Sequence, residues 1–276
     1  MTIQTLLLEG APAVRLHGPA GDTVTVLLRG AQVVSWVDAG GVERLYRSPL
    51  SPLRGPQAVR AGVPVIFPQF AARGPLVRHG FARLRNWALL PSNTPTQTPH
   101  VALQLHNAVG DDPLWPHACR CTLTVGLWDQ ALDMALHVEN TGTTTFAFQA
   151  ALHTYLAVDD VTRAQLTGVL PDDAPLGLQN PIDRVFEAVA TPLQLRTPQH
   201  ALQLVHRGFR DAVVWNPGPA AALADLPQNG YRQFVCVEAA QLIPVQLAPG
   251  AHWEGSQTVV CEAAAEAAAP AHATPS

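Results

Sequence analysis

A few side chains in this sequence stand where their types and spacing permit chemistry. Arg60 lies in Val59-Arg60-Ala61-Gly62-Val63-Pro64-Val65-Ile66-Phe67-Pro68, a stretch that is otherwise apolar. A guanidinium keeps its charge, so in such a frame it needs an anion, either an internal Asp or a ligand phosphate. His79 and Arg83 follow in His79-Gly80-Phe81-Ala82-Arg83. A loop leading into a strand would point both into a cleft; the alternative is that Arg78, Arg83 and Arg85 form a solvated surface run.

Two later islands carry an acid/base pair. In Phe234-Val235-Cys236-Val237-Glu238 the carboxylate shares a strand face with Phe234 and Cys236. Desolvation there would raise its pKa toward the working pH and make it a base; the alternative is a strand-end Glu facing water. In Ala151-Leu152-His153-Thr154-Tyr155 the imidazole shares a face with Ala151 and Tyr155. It can serve as a general acid near neutral pH, or as a hydrogen-bonded structural histidine. Asp183, in Asp183-Arg184-Val185-Phe186, can accept from sugar hydroxyls, pair with Arg184 or cap a turn; Asp211 is a competing acid. Trp215 and Phe67 can wall a sugar ring, although each taken singly fits a core role. Fixed cations beside an acid/base pair are what a sugar phosphate requires.

The elements that position these groups read as strands. Leu132 to Glu139 alternates apolar and polar residues before the turn Asn140-Thr141-Gly142. Val101 to His106, Cys121 to Leu127, Ala201 to Val205 and Arg232 to Glu238 behave alike, bounded by Gly, Pro, Asn and Asp. This pattern predicts an all-β chain, a large antiparallel sandwich or barrel with few short helices. Pro219 to Asp225 is the best helical segment, with Asn216 as cap and Pro227 as stop. No βα alternation argues for a parallel sheet. Pro91 to Pro99 and Pro171 to Pro181 read as long loops. Residues 1–261 are expected to form one domain, and the Ala-rich 262–276 a disordered tail.

Composition bounds the rest. The chain has 276 residues, 47% of them hydrophobic, enough for a sizeable core, and 14% charged, too few for disorder. A net charge of −4 supplies no basic field for nucleic acid, so local arginines must do any anion binding. Cys119 and Cys121 alternate on one strand face, where they cannot easily pair, and with His117 they lack a second ligand cluster for a metal. Reduced, half-buried thiols in a cytoplasmic protein are the expectation. The N-terminus has no signal-peptide pattern, and no apolar run is long enough to span a bilayer. There is no GxGxxG or GxxxxGK[ST] loop. No cofactor, no metal and a monomer are expected.

Taken in order, Arg60-Ala61-Gly62-Val63-Pro64, His79-Gly80-Phe81-Ala82-Arg83, Leu152-His153-Thr154-Tyr155, Ile182-Asp183-Arg184-Val185-Phe186, Val214-Trp215-Asn216-Pro217, Tyr231 to Glu238 and Leu247-Ala248-Pro249-Gly250 resemble the aldose 1-epimerase-like proteins, specifically the hexose-6-phosphate mutarotases. The resemblance runs from about Thr23 to Val260. It implies a β-sandwich with a concave substrate face. It also implies Glu238 as catalytic base, His153 as catalytic acid, Arg60 and Arg83 as phosphate ligands, and His79 and Asp183 as substrate contacts. Arg78, where relatives can carry Gln, would add a cation near the phosphate. The implied reaction is cofactor-free interconversion of the α and β anomers of a hexose 6-phosphate. The alternatives are a mutarotase for unphosphorylated aldoses, with Arg60 neutralised by an Asp, and a non-catalytic sugar-binding sandwich.

Overall fold

The computed structural model describes residues 2–91 and 99–262. Among these the strands form three antiparallel sheets. Thr2–Leu8, Ala11–His17, Thr23–Leu27 and Val33–Val37 make a four-stranded meander. Nine strands make the largest sheet, in the order Leu176–Gly177, Gln165–Thr167, Leu193–Arg196, Ala201–Arg207, His252–Cys261, Ala131–Asn140, Cys119–Trp128, His100–Asn107, Ala88–Leu89. The third runs Ile182–Phe186, Asp211–Asn216, Phe234–Leu247, Phe146–Leu152, Val65–Ile66, with Tyr155–Ala157 also paired to Phe234–Leu247.

Local sequence accounts for the ladders. The hairpin Cys119–Trp128/Ala131–Asn140 turns on Asp129 and Gln130, both at positive φ (48° and 63°). Two such residues match the right-handed twist of the flanking strands. Ala131–Asn140 alternates buried and half-buried side chains from its second residue onward, as its period-two pattern predicts. Cys119 and Cys121 fall on its partner's inner face. With Cys236 they are fully buried rather than half-buried thiols, Cys261 being intermediate.

The core lies between the third sheet and the nine-stranded sheet. Leu152, Val214, Val235, Val237 and Ala239 face Leu123, Met134, Leu136, Leu204 and Val259 in one cluster. Because strand side chains alternate, the neighbours of the first group face the other way. Phe234, Cys236, Tyr155 and Trp215 pack on that opposite face with Tyr46; Ile66, Phe70, Ala151, Val213 and Ala240 continue it. Phe67 belongs to the inner side, packed on Phe81, Trp115 and Phe148, so it walls no sugar site.

Three sequence expectations are corrected. Residues 219–225 form two turns joined by an irregular segment rather than a helix. The Asn216 side chain, the expected cap, instead donates to the Tyr231 and Phe234 carbonyls and accepts from Gly218 N–H, closing the loop on itself. Arg232 and Gln233 belong to the 3-10 turn Gly230–Gln233 ahead of the strand. The loop 171–181 contains a 3-10 turn, Pro171–Asp173, and the short strand Leu176–Gly177. Residues 92–98 and 263–276, including most of the expected tail, lie outside the described residues. Among the described residues no helix is long and apolar enough to cross a membrane.

Candidate active site

Glu238 and His153 meet on the outer face of the third sheet. Leu152 pairs with Ala239 and Tyr155 with Cys236, so the register carried across the gap between these two strands sets His153 opposite Glu238. His153 Nε2 is 3.3 Å from Glu238 Oε1. The strand breaks locally: His153 N–H donates to the Pro64 carbonyl at 3.0 Å, and Thr154 N–H turns back to Leu152 at 3.0 Å. The histidine ring stacks on Tyr155, with centroids 4.9 Å apart and planes 16° apart, and meets Trp215 edge-on.

Both members of the pair are buried, at 8% and 1% exposure. Burial, then the Asp183 charge, raises the Glu238 pKa well above the ordinary carboxylate value, against the pull of Arg83 and Arg78. Burial, then His79 and Arg83, lowers the His153 pKa well below the ordinary imidazole value. Burial therefore weights the pair toward a protonated carboxyl beside a neutral imidazole and away from the ion pair. The sequence expectation of an ionised Glu238 and a protonated His153 carries the same number of protons. The two forms differ only in where one proton sits along a single contact. Glu238 Oε2 and His153 Nδ1 are buried without a hydrogen-bond partner among the described residues.

His79 is locked beside this pair. Its N–H donates to the Ala71 carbonyl at 2.9 Å and its Nδ1 accepts from Ala71 N–H at 3.2 Å. Nδ1 being the acceptor, a neutral ring carries its proton on Nε2. Burial, followed by Arg83 and Arg78, pushes its pKa down to about 3, so His79 is a neutral donor. Its ring lies 5.6 Å from that of His153. The loop needs Gly80 at φ +70°, where a Cβ would stand 2.2 Å from the Phe67 carbonyl oxygen.

The arginines converge on the same place. Arg60 donates from Nη1 to the Tyr155 hydroxyl at 3.0 Å, and its Nε lies 3.0 Å from Asp225 Oδ1. Its guanidinium carbon is 5.6 Å from the Trp215 ring centroid. Arg83, in the 3-10 turn Ala82–Leu84, donates from Nη2 to the Arg78 carbonyl at 2.8 Å. Its Nε is buried without a partner among the described residues. Burial first, and Arg78 and Arg60 after it, lower the Arg83 pKa against the pull of Tyr155 and Glu238. Arg78 is exposed. Neither Arg78 nor Arg83 has a carboxylate ion-pair partner among the described residues. Asp183 is exposed and stands opposite Trp215 in register. It makes no ion pair with Arg184, which covers the Phe186 ring instead.

Each of the seven residues picked out in the sequence, His153, Glu238, Arg60, Arg78, His79, Arg83 and Asp183, thus falls within contact or electrostatic reach of at least one of the others. Asp211 does not join them. It is buried and accepts from the Ala188 and Leu242 amides, a structural role. Two site residues escaped the sequence reading. Asp225 stood in the expected helix, and no local motif ties it to a distant Arg60. Tyr155 carried a signal, an aromatic two residues from His153 on the same strand face.

An antiparallel β fold with a buried carboxyl–imidazole pair on one sheet face fits an enzyme that moves protons on a sugar. The chain belongs to the aldose 1-epimerase family, whose model matches residues 12–259. A protein from Cenchrus ciliaris, provisionally named a glucose-6-phosphate 1-epimerase, is 31% identical over 278 residues, covering 90% of this chain and 84% of its own length. One from Salmonella typhimurium with the same provisional name is 31% identical over 237 residues, covering 76% and 77%. The crystal structure of YeaD from Salmonella typhimurium, provisionally titled a mutarotase, has a TM-score of 0.84 and 25% identity, covering 94% of this chain and 93% of that one.

Proposed function

We propose that this protein interconverts the α and β anomers of a hexose 6-phosphate, glucose 6-phosphate first among them. The observation that carries the reading is the His153–Glu238 pair, 3.3 Å apart, set among three arginines with one carboxylate partner between them among the described residues. A proton moved from His153 to Glu238, or back, prepares either partner to give or to take. With Glu238 ionised, it takes the C1 hydroxyl proton. His153 then protonates the ring oxygen and the C1–O5 bond opens to the aldehyde. Rotation about C1–C2 presents the other carbonyl face, and the same groups run in reverse. These steps transfer protons only and call for no cofactor. Positioned acid–base groups of this kind contribute about 10²–10⁴-fold.

Arg83 and Arg78 are the stronger candidates for the phosphate, because among the described residues neither makes an ion pair with a carboxylate. A dianion there relieves their mutual repulsion and supplies remote binding energy that orients C1. His79 Nε2–H and Asp183 serve as donor and acceptor for ring hydroxyls. The names of the relatives support the phosphorylated substrate.

The Arg60–Asp225 pair favours a second reading, a mutarotase for unphosphorylated aldoses. One-dimensional exchange NMR on glucose 6-phosphate and on glucose separates the two. Faster α/β exchange for the phosphorylated sugar, lost in Glu238→Gln, is the expected result. Acceleration of glucose alone would select the second reading, and no acceleration of either would leave a sugar-binding module.

A further inference from the structure

Behind the acid/base pair, in the apolar layer between the two larger sheets, lies a chain of fully buried polar groups. Gln257, on strand His252–Cys261 of the nine-stranded sheet, is 0% exposed, as is Thr154, and His206 is nearly so. A core position that faces Met134 and stands beside Val259 would ordinarily hold an aliphatic residue, since a buried amide is costly unless all its hydrogen bonds are made.

Here they are made, and their targets are specific. Gln257 Oε1 accepts from the Thr154 hydroxyl. Its Nε2 donates to the Val237 carbonyl at 3.1 Å and contacts His206 Nε2 at 3.0 Å. Burial pushes the His206 pKa down to about 4, so that ring is neutral and can accept. A carbonyl at Val237 only accepts, which fixes the amide orientation. Thr154 is the residue after His153, and Val237 is the residue before Glu238. Gln257 therefore grips the backs of both positions at once.

The reason lies in the broken ladder. Register places Thr154 opposite Val237, and Val237 N–H does donate to the Thr154 carbonyl at 3.1 Å. The return bond is missing, because Thr154 N–H turns back to Leu152. That turn accompanies the break in the strand at His153, and it leaves the Val237 carbonyl without its strand partner. The Gln257 amide supplies the lost bond from the opposite sheet.

We propose that Gln257, acting with Thr154, is a positioning residue that holds His153 and Glu238 in register for proton transfer. This rests on the mutarotase reading above. Misplacement of a reacting group by about 1 Å can cost roughly 10²-fold in rate, so loosening the clamp lowers kcat while the sugar and phosphate contacts, and hence KM, stay near wild type.

The test compares Gln257→Leu, Thr154→Val and Thr154→Ser with wild type by saturation exchange kinetics on glucose 6-phosphate, with folding checked by circular dichroism. Thr154→Val removes the hydroxyl at constant shape, and Thr154→Ser restores it. The expected result is a kcat at least about tenfold lower in Gln257→Leu and reduced in Thr154→Val, recovered in Thr154→Ser, with KM little changed. Folded variants with wild-type kcat would overturn the inference. Should Gln257→Leu fail to fold, the two Thr154 variants decide it alone. A wild type inactive on both sugars would overturn the mutarotase reading instead. The clamp is then read from the His153 ring resonances by NMR: they move in Thr154→Val and return in Thr154→Ser, and resonances unmoved in Thr154→Val would refute it.

Discussion

His153 Nε2 and Glu238 Oε1 stand 3.3 Å apart on residues that face each other on adjacent strands of the third sheet. Burial opposes charge on either group, moving the imidazole pKa down and the carboxyl pKa up from their ordinary values. The pair holds one proton over the interval between the two values.

The pH dependence of kcat/KM follows. Activity needs the one-proton pair. Acid adds a second proton only below the lowered His153 value, and base removes the last only above the raised Glu238 value. The acid limb should therefore follow His153 and lie below the ordinary imidazole value of about 6.5, and the alkaline limb should follow Glu238 and lie above the ordinary carboxylate value of about 4.3. Exchange NMR across pH checks it; an acid limb at or above about 6.5 would contradict the burial argument.

Glu238→Gln keeps the shape of the side chain and removes its ability to carry a proton. The expected loss is about 10²–10⁴-fold in kcat, with KM for glucose 6-phosphate changed little. Saturation kinetics by exchange NMR separates the two constants. A rise in KM at constant kcat would make Glu238 a binding group only.

Arg83→Ala should raise KM for glucose 6-phosphate about 10- to 100-fold, the worth of about 1.5–3 kcal/mol for a charge-assisted contact, and leave glucose nearly unaffected. Asp225→Asn should act in the opposite sense. It frees Arg60 from an internal competitor at a half-exposed site, where such pairs are worth about 0.2–1 kcal/mol. KM for the phosphorylated sugar should fall by up to about fivefold. A rise would mean that Asp225 orients Arg60 instead of competing for it.

Much of this was legible in the sequence because strands report their own faces. Period-two alternation put Glu238 on the face of Phe234 and Cys236, where the fold has it. The arginines stood out because a charge in an apolar stretch demands a partner. What the sequence concealed is what depends on distant chain. Asp225 approaches Arg60 because Asn216 closes its loop with bonds to Tyr231 and Phe234. Gln257 reads as an ordinary polar residue between Ser256 and Thr258, and only the break at His153 gives its amide a carbonyl to fill. The burial that disfavours the ion pair was concealed as well, because depth of burial is a property of the packed sheets and not of the local pattern.

Acid should destabilise the fold earlier than carboxylate titration alone would. His79 and His206 are held at about 3 and about 4, and His153 and His200 are also lowered, in each case chiefly by burial. Between those values and the ordinary 6.5 the unfolded chain binds protons that the native chain refuses. Their contribution is complete above pH 6.5 and is lost as pH falls toward 3–4. Glu238 and Asp22, both raised by burial, act in the opposite sense, but the four histidines outnumber them. With each pKa unit worth about 1.4 kcal/mol, His79 and His206 alone cost about 2 kcal/mol apiece by pH 5. Urea unfolding at pH 7.5 and pH 5 reads the balance. The midpoint should fall at pH 5; a level or higher midpoint would mean that the buried carboxyls, and not the histidines, govern the acid limb.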